Sequence, residues 1–167
     1  REAGGTGWKP LRSGTTDQIA VWDTMSVPDG TYVLKIAASD AANNAPGAAL
    51  VGELISEAFD VDNGAPQITV RQVIREGAAT KITFDVTDSF SPVSTVEYSV
   101  DTGRWQAAYP VDGAVDSRQE RFEIRIDGEA DGRVVLRAAD TMGNMGTARV
   151  VAAGAADRIG PAVFDLG

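Results

Sequence analysis

The chain has 167 residues and a mass of 17.5 kDa, enough for one ordinary domain or two small ones. It contains no Cys and no His, which excludes disulfides, cysteine-ligated metal sites, thiol nucleophiles and a Ser-His-Asp triad within this sequence. Its 24 acidic and 15 basic residues give a net charge of −9. Because such a surface repels phosphates and no apolar run reaches ~18 residues, we expect neither nucleic-acid binding nor membrane insertion.

The first 64 residues contain one clear strand pattern. Apolar side chains alternate with others over residues 32–38, directly after a Pro-Asp-Gly turn at residues 28–30. A shorter strand is predicted at residues 19–22. Ile55, Phe59 and Val61 suggest a last strand. Residues 49–59 also match a helical period, and we interpret them as a loop and then a strand.

In the second part of the chain, apolar side chains alternate with others more clearly, with a period of two residues. Its alternating apolar positions are Ile82, Phe84, Val86, Val96, Tyr98, Val100, Phe122, Ile124, Ile126, Val134, Leu136 and Ala138. With Ile68 and Val70 before them and residues 147–151 after them, they predict about six antiparallel strands that cover one core. Turn residues separate these strands, which is the pattern of a β-sandwich.

Turn-forming residues cluster at 60–66, where Pro66 cannot donate to a sheet. We therefore predict a partial or small sandwich at residues 1–64, a complete sandwich at 65–153 and a C-terminal tail at 154–167. Only seven residues precede Trp8, whereas three candidate strands precede or contain Trp105. The first domain is thus expected to lack its opening strands and to have an exposed sheet edge through which copies self-associate.

The two parts share an order of features, as an internal repeat does. Each has a strand that ends in Asp, at Asp40 and Asp140, and each Asp is followed within four residues by Asn44 or Asn144. Asp and Asn side chains cap backbone N–H groups, so these pairs predict tight hairpin corners.

One segment carries a family resemblance. It runs Trp22-Asp23-Thr24 and then Val27-Pro28-Asp29-Gly30-Thr31-Tyr32-Val33-Leu34. It resembles the E–F corner of bacterial fibronectin type III-like and immunoglobulin-like domains, where a Tyr follows a Gly at the start of strand F. Tyr32 matches that tyrosine corner, whereas the second repeat has Gly132 at this position. Residues 98–105 and 139–144 are also similar to this group, and the resemblance covers most of residues 8–152.

The resemblance implies an all-β, immunoglobulin-like or fibronectin type III-like sandwich. It implies tandem domains at the C-terminal end of an exported bacterial protein, sometimes one with β-propeller repeats. An extracellular or periplasmic location, a non-catalytic accessory, spacer or protein-interaction role, and other domains of the same parent protein as partners follow from it by analogy.

Two alternatives stay open. Asp60, Asp62 and Asn63, with Asp40 as a further oxygen donor, resemble the calcium-binding linker of cadherins, although a plain turn explains them as well. The aromatic residues Trp8, Trp22 and Trp105 are a candidate platform for carbohydrate, although Trp at strand positions in a sandwich is more often packed in the core or at an edge. We expect no catalytic residue, no bound cofactor and, outside the calcium alternative, no metal.

Overall fold

In the computed structural model, which describes residues 1–45, 47–128 and 134–150, the sheets are all antiparallel. The chain forms two compact units, Arg1–Asn63 and the part that begins at Gly64. We call them the N-terminal unit and the C-terminal unit and describe each by itself. The predicted tail at 154–167 and Gly132 lie outside the described residues.

The N-terminal unit contains four short strands. They are β1 (Gly30–Tyr32), β2 (Lys35–Ser39), β3 (Val51–Ile55) and β4 (Phe59–Val61). Strand β1 pairs with β4 and β2 pairs with β3, which gives two separate two-stranded sheets. The 3₁₀ turns Thr24–Ser26 and Ala41–Asn43 precede β1 and follow β2.

The sequence prediction for this unit is correct only in part. The pattern over residues 32–38 corresponds to two strands, β1 and β2, with a break between them. The strand predicted at residues 19–22 is wrong, because Ile19 and Val21 have no strand partner among the described residues and expose 78% and 92% of their surface. Strand β3 begins at Val51, inside the segment that we interpreted as a loop.

Tyr32 is the centre of the small core in this unit. The residue is 6% exposed, and its ring and that of Trp22 pack edge to face with 6.0 Å between ring centroids. The hydroxyl donates a 2.7 Å hydrogen bond to the carbonyl oxygen of Pro28. Desolvation by burial, and then the nearby carboxylates of Glu2 and Asp29, raise the pKa of this phenol.

The C-terminal unit is larger and more regular. Its strands are β5 (Gln67–Glu76), β6 (Ala79–Thr87), β7 (Val93–Val100), β8 (Gln106–Ala107), β9 (Gln119–Asp127), β10 (Val134–Asp140) and β11 (Met145–Arg149). They form a sheet of order β5-β6-β9 and a second sheet of order β11-β10-β7-β8. The apolar faces of both sheets share one core, which is the arrangement of a β-sandwich.

The core of this unit contains the side chains that the alternation predicts. Phe84 and Phe122 are fully buried and stack with 5.3 Å between ring centroids. Leu136, from the opposite sheet, is also fully buried. The alternation of β5 changes phase at a bulge between Val70 and Gln72. The bulge inserts Arg71, so apolar packing passes from Val70 to Val73.

A glycine allows close packing between the two sheets of this sandwich. Gly146 lies in β11, and a Cβ atom there would overlap the carbonyl oxygen of Pro66, just before β5. The backbone of β11 therefore approaches this carbonyl more closely than any other residue type permits.

Candidate functional site

The three tryptophans have different environments. Trp22 packs against Tyr32 and Phe59, as the packing interpretation predicts. Trp8 is 37% exposed, and the Arg1 guanidinium lies over its ring, 4.7 Å from the centroid. The Lys35 ammonium lies 5.2 Å from the same ring. A sugar that stacked on this face of Trp8 would have to displace these cations.

Trp105, in the C-terminal unit, is also partly open, with 39% of its surface exposed. The Arg137 guanidinium lies 4.0 Å from its ring centroid and donates a 2.6 Å hydrogen bond to Glu97. Strands β7 and β10 place Glu97 and Arg137 directly opposite each other, so the ion pair fixes the cation on the ring. This arrangement is one of structural packing, and it occupies one face of the indole.

The side chains of the calcium alternative make local contacts in the N-terminal unit. Asp60 accepts a 2.7 Å hydrogen bond from Thr31 on the paired strand. The Asn63 side chain accepts a 2.9 Å hydrogen bond from the Thr24 hydroxyl through Oδ1 and donates one of 3.1 Å to the Thr24 carbonyl oxygen through Nδ2. Asp40 accepts a 2.7 Å hydrogen bond from the backbone N–H of Leu50 across the hairpin.

These three side chains are thus engaged in capping and pairing, as the turn interpretation predicts. Asp62 directly follows β4 and is half-buried. The calcium alternative therefore stays a prediction.

A carboxylate pair that the sequence analysis did not assign lies in the C-terminal unit. Oxygens of Asp88 and Asp140 come within 4.8 Å of each other. Asp140 accepts hydrogen bonds from the backbone N–H groups of Met142 and Asn144, at 2.8 and 2.9 Å, and Asp88 caps the turn that follows it. The corner predicted at Asp140 is thus confirmed.

A second charged cluster lies on the outer face of the β5-β6-β9 sheet. Asp85 is 3% exposed and accepts a 2.8 Å hydrogen bond from each Nε of Arg121 and Arg71. The hydrogen bond from Arg121 is the main reason that the pKa of Asp85 lies below its usual value. The charge of this carboxylate is matched locally, so the cluster holds the three strands in register.

The β2–β3 hairpin has an apolar face whose exposure to solvent none of the contacts above explains. Ile36 and Ala38 project to the same side of the hairpin as their partners Leu54 and Gly52. We call these four residues the hairpin face. Ile36 and Leu54 expose 65% and 70% of their surface, so no described residue covers them. The opposite side is polar in part, with Lys35 and Glu53 joined by a 3.1 Å ion pair.

The hairpin face belongs to a wider exposure of apolar side chains in the N-terminal unit. The exposed large apolar residues here are Trp8, Leu11, Ile19, Val21, Met25, Ile36, Leu50, Val51, Leu54 and Ile55. Among the described residues of this unit, the buried apolar side chains are Tyr32 and Val61. The exposed large apolar side chains of this unit therefore outnumber its buried ones among the described residues.

No family model matches the chain, no curated protein is significantly similar to it, and no solved structure matches it. Among the described residues, no helix is long and apolar enough to cross a membrane.

Proposed function

We propose that this chain is a non-catalytic accessory module of a larger exported bacterial protein, and that its N-terminal unit binds other domains of that protein. The observation that carries this proposal is the hairpin face. Ile36 and Leu54 expose about two thirds of their surface on a regular antiparallel hairpin. An isolated two-stranded hairpin is at best marginally stable in water, so this one gains stability when its apolar face is covered.

The C-terminal unit supports a scaffold role. Its core joins two sheets, and fully buried side chains such as Ile82 and Val134 come from both. The outward charges next to this core are paired within the unit, as in the cluster of Asp85 with Arg71 and Arg121. A unit of this kind folds around its own core and suits a spacer or a support.

We further propose that the sandwiches are of the immunoglobulin-like or fibronectin type III-like type. The hydrogen bond from the Tyr32 hydroxyl to the Pro28 carbonyl supports this, because a tyrosine corner makes such a bond to the backbone a few residues upstream. The extracellular or periplasmic location belongs to the same proposal and rests on the family resemblance alone.

The proposal is tested by binding between the whole 167-residue chain and the remainder of the parent protein, measured by calorimetry. Replacing Ile36→Lys and Leu54→Lys together places two charges on the hairpin face. Because a buried charge without a partner is costly, we expect affinity to fall by at least about tenfold, which corresponds to ~1.4 kcal/mol.

The matched control is Val111→Lys in the C-terminal unit, since Val111 is 66% exposed and thus similar to Ile36. We expect this variant to bind as the unaltered chain does. Absence of binding by the unaltered chain, or equal binding by the doubly charged variant, would contradict the proposal. Circular dichroism of each variant shows whether the fold is kept.

A further inference from the structure

We infer that the C-terminal unit holds a calcium ion, bound by the carboxylates of Asp88 and Asp140 and by the hydroxyl of Ser91. This site differs from the calcium alternative of Asp40 and residues 60–63, which belongs to the N-terminal unit. It does not depend on the proposed function. Three features support it: the spacing of two carboxylate oxygens, their unmatched charge and two buried oxygens without a hydrogen bond.

The carboxylates of Asp88 and Asp140 lie close enough to bind the same ion. One oxygen of each comes within 4.8 Å of the other. Calcium binds oxygen ligands at about 2.3–2.6 Å, so two ligands of one ion are at most about 5 Å apart. The separation of the two carboxylate oxygens therefore fits a single calcium ion.

The two carboxylates lack a positively charged partner in the part of the chain that the structure describes. The ion pairs of the C-terminal unit join other acidic groups, such as Asp85 with Arg71 and Arg121. Two like charges at this distance repel each other, and the repulsion is poorly screened because Asp140 is only 3% exposed. A divalent cation neutralises the pair, whereas a water molecule leaves its net charge unchanged.

Hydrogen bonds hold each carboxylate in place and engage mainly its Oδ1 atom. Oδ1 of Asp88 accepts from the backbone N–H groups of Phe90 and Ser91, both at 2.8 Å. Oδ1 of Asp140 caps the corner described above, and its Oδ2 accepts one 2.8 Å bond from the Asn144 side chain. Because a carboxylate oxygen has two lone pairs, Oδ2 of both residues keeps one for a cation among the described contacts.

Two oxygens at this place are buried without a hydrogen bond. They are Oδ2 of Asp88 and the hydroxyl oxygen of Ser91, which have no partner among the described residues and are closed to solvent. Ser91 as a whole is 3% exposed. A buried polar atom without a partner destabilises a protein, and a charged one does so more strongly. A cation that binds both oxygens removes this cost.

The chain places Ser91 between the two carboxylates. On one side its backbone N–H donates to Asp88. On the other side the carbonyl oxygen of the next residue, Pro92, accepts a 2.9 Å hydrogen bond from the N–H of Thr141, which directly follows Asp140. The loop after β6 and the corner after β10 are thus fastened together on both sides of Ser91, and this residue supplies the third oxygen.

The ligand atoms favour calcium over other metals. They are all oxygen, and the chain has no Cys or His to bind a softer metal. Water completes the roughly six to eight ligands that calcium takes. Calcium also accepts an irregular arrangement of ligands, whereas magnesium needs nearly ideal octahedral geometry.

Calcium titration of the full 167-residue chain, after treatment with a chelator, tests the inference by calorimetry. We expect heat that saturates. At a calcium concentration about a hundredfold above Kd, we expect the melting temperature of the C-terminal unit to rise by at least about 5 °C. Heat that does not saturate, or an unchanged melting temperature, overturns the inference, since a water molecule between the oxygens would give that result.

Asp88→Asn removes the charge and the Oδ2 ligand, and it keeps an oxygen that accepts from the backbone. We expect this variant to bind calcium at least about tenfold more weakly, because affinity depends on the number of charged ligands. The matched control is Asp112→Asn in the same unit, because Asp112 also caps a turn, at the N–H of Ala114. It should bind calcium as the unaltered chain does. An equal loss of affinity in both variants overturns the inference.

Two further variants assign the ion to these residues. Ser91→Ala should weaken binding by a smaller factor than Asp88→Asn, because the hydroxyl is an uncharged ligand. Unchanged affinity in Ser91→Ala overturns the place of Ser91 in the site. Asp60→Asn should leave the affinity unchanged, and a loss there without a loss in Asp88→Asn overturns the site as a whole.

Hydrogen exchange of the unaltered chain locates the ion should Asp88→Asn fail to fold. Calcium should slow the exchange of the amides that cap the two carboxylates, those of Phe90, Ser91, Met142 and Asn144. If these amides exchange equally fast with and without calcium, the inference is overturned.

Discussion

In the C-terminal unit, β9 and β10 bury every second side chain, whereas in the N-terminal unit β2 and β3 bury none. The difference lies in what faces each sheet. The β5-β6-β9 sheet packs against a second sheet, whereas no such layer covers the β2–β3 hairpin among the described residues of its own unit. Alternation therefore shows that a strand forms, but burial requires a second apolar layer.

The largest expected effect is a cavity in the C-terminal core. Phe84→Ala removes a fully buried ring stacked on Phe122, and we expect a loss of about 3–5 kcal/mol in the free energy of unfolding of this unit. Ile36→Ala in the N-terminal unit should change stability by no more than ~0.5 kcal/mol, because its side chain is exposed. Urea unfolding, followed by hydrogen exchange on peptides from each unit, measures both values. A comparable loss of unfolding free energy in both variants would contradict the difference in side-chain burial between the two units.

A smaller effect is expected at two strand glycines. Gly146→Ala should destabilise the C-terminal unit by about 1–3 kcal/mol, because the new Cβ would overlap the Pro66 carbonyl. Gly52→Ala, in β3, meets no heavy atom within 4 Å and should be neutral or slightly stabilising. Thermal unfolding of the two variants compares a packed strand with an uncovered one. A neutral Gly146→Ala would show that β11 can move away from Pro66.

The smallest expected effect is the pH dependence from Asp85. Because its folded-state pKa is lowered, its stabilising contribution is complete above the unfolded-state value of about 3.9 and is lost as pH falls through the folded-state value. Asp85→Asn should cost about 1–2 kcal/mol at neutral pH, a modest loss because Arg71 and Arg121 are more than half exposed and stay hydrated. Urea unfolding should show that the free energy of unfolding decreases less from neutral to acidic pH in this variant than in the unaltered chain. If the variant has the same pH dependence as the unaltered chain, Asp85 is not the cause of the loss of stability in acid.

The all-β class could be predicted from the sequence because alternation and turn chemistry are local properties. The core at Ile82, Phe84 and Val86 follows directly from their spacing of two. The bulge at Arg71 could not be predicted in this way, since a single inserted residue is visible only in the pairing of β5 with β6. Ile19 and Val21 have strand-like side chains, but a strand needs a partner that local sequence does not supply.

The candidate site was less accessible from sequence. An exposed apolar face in the first part was expected from its small number of strands, but the pairing that places Ile36 beside Leu54 is visible only in the structure. The approach of Asp88 to Asp140 depends on the geometry of two separate turns, so residue spacing could not indicate it. By contrast, the capping role of Asp140 was predictable, because Asp and a following Asn make a local corner.

Hydrogen exchange of the dilute 167-residue chain compares the opening free energy of the two units in one sample, and so measures the difference between the packed sandwich and the uncovered hairpin. We expect amides of β6 and β10 to exchange at least about a hundredfold more slowly than those of β2 and β3, equivalent to ~2.8 kcal/mol. Equal protection of both sets of strands at low concentration would contradict it, because the uncovered hairpin would then be as stable as the packed sandwich.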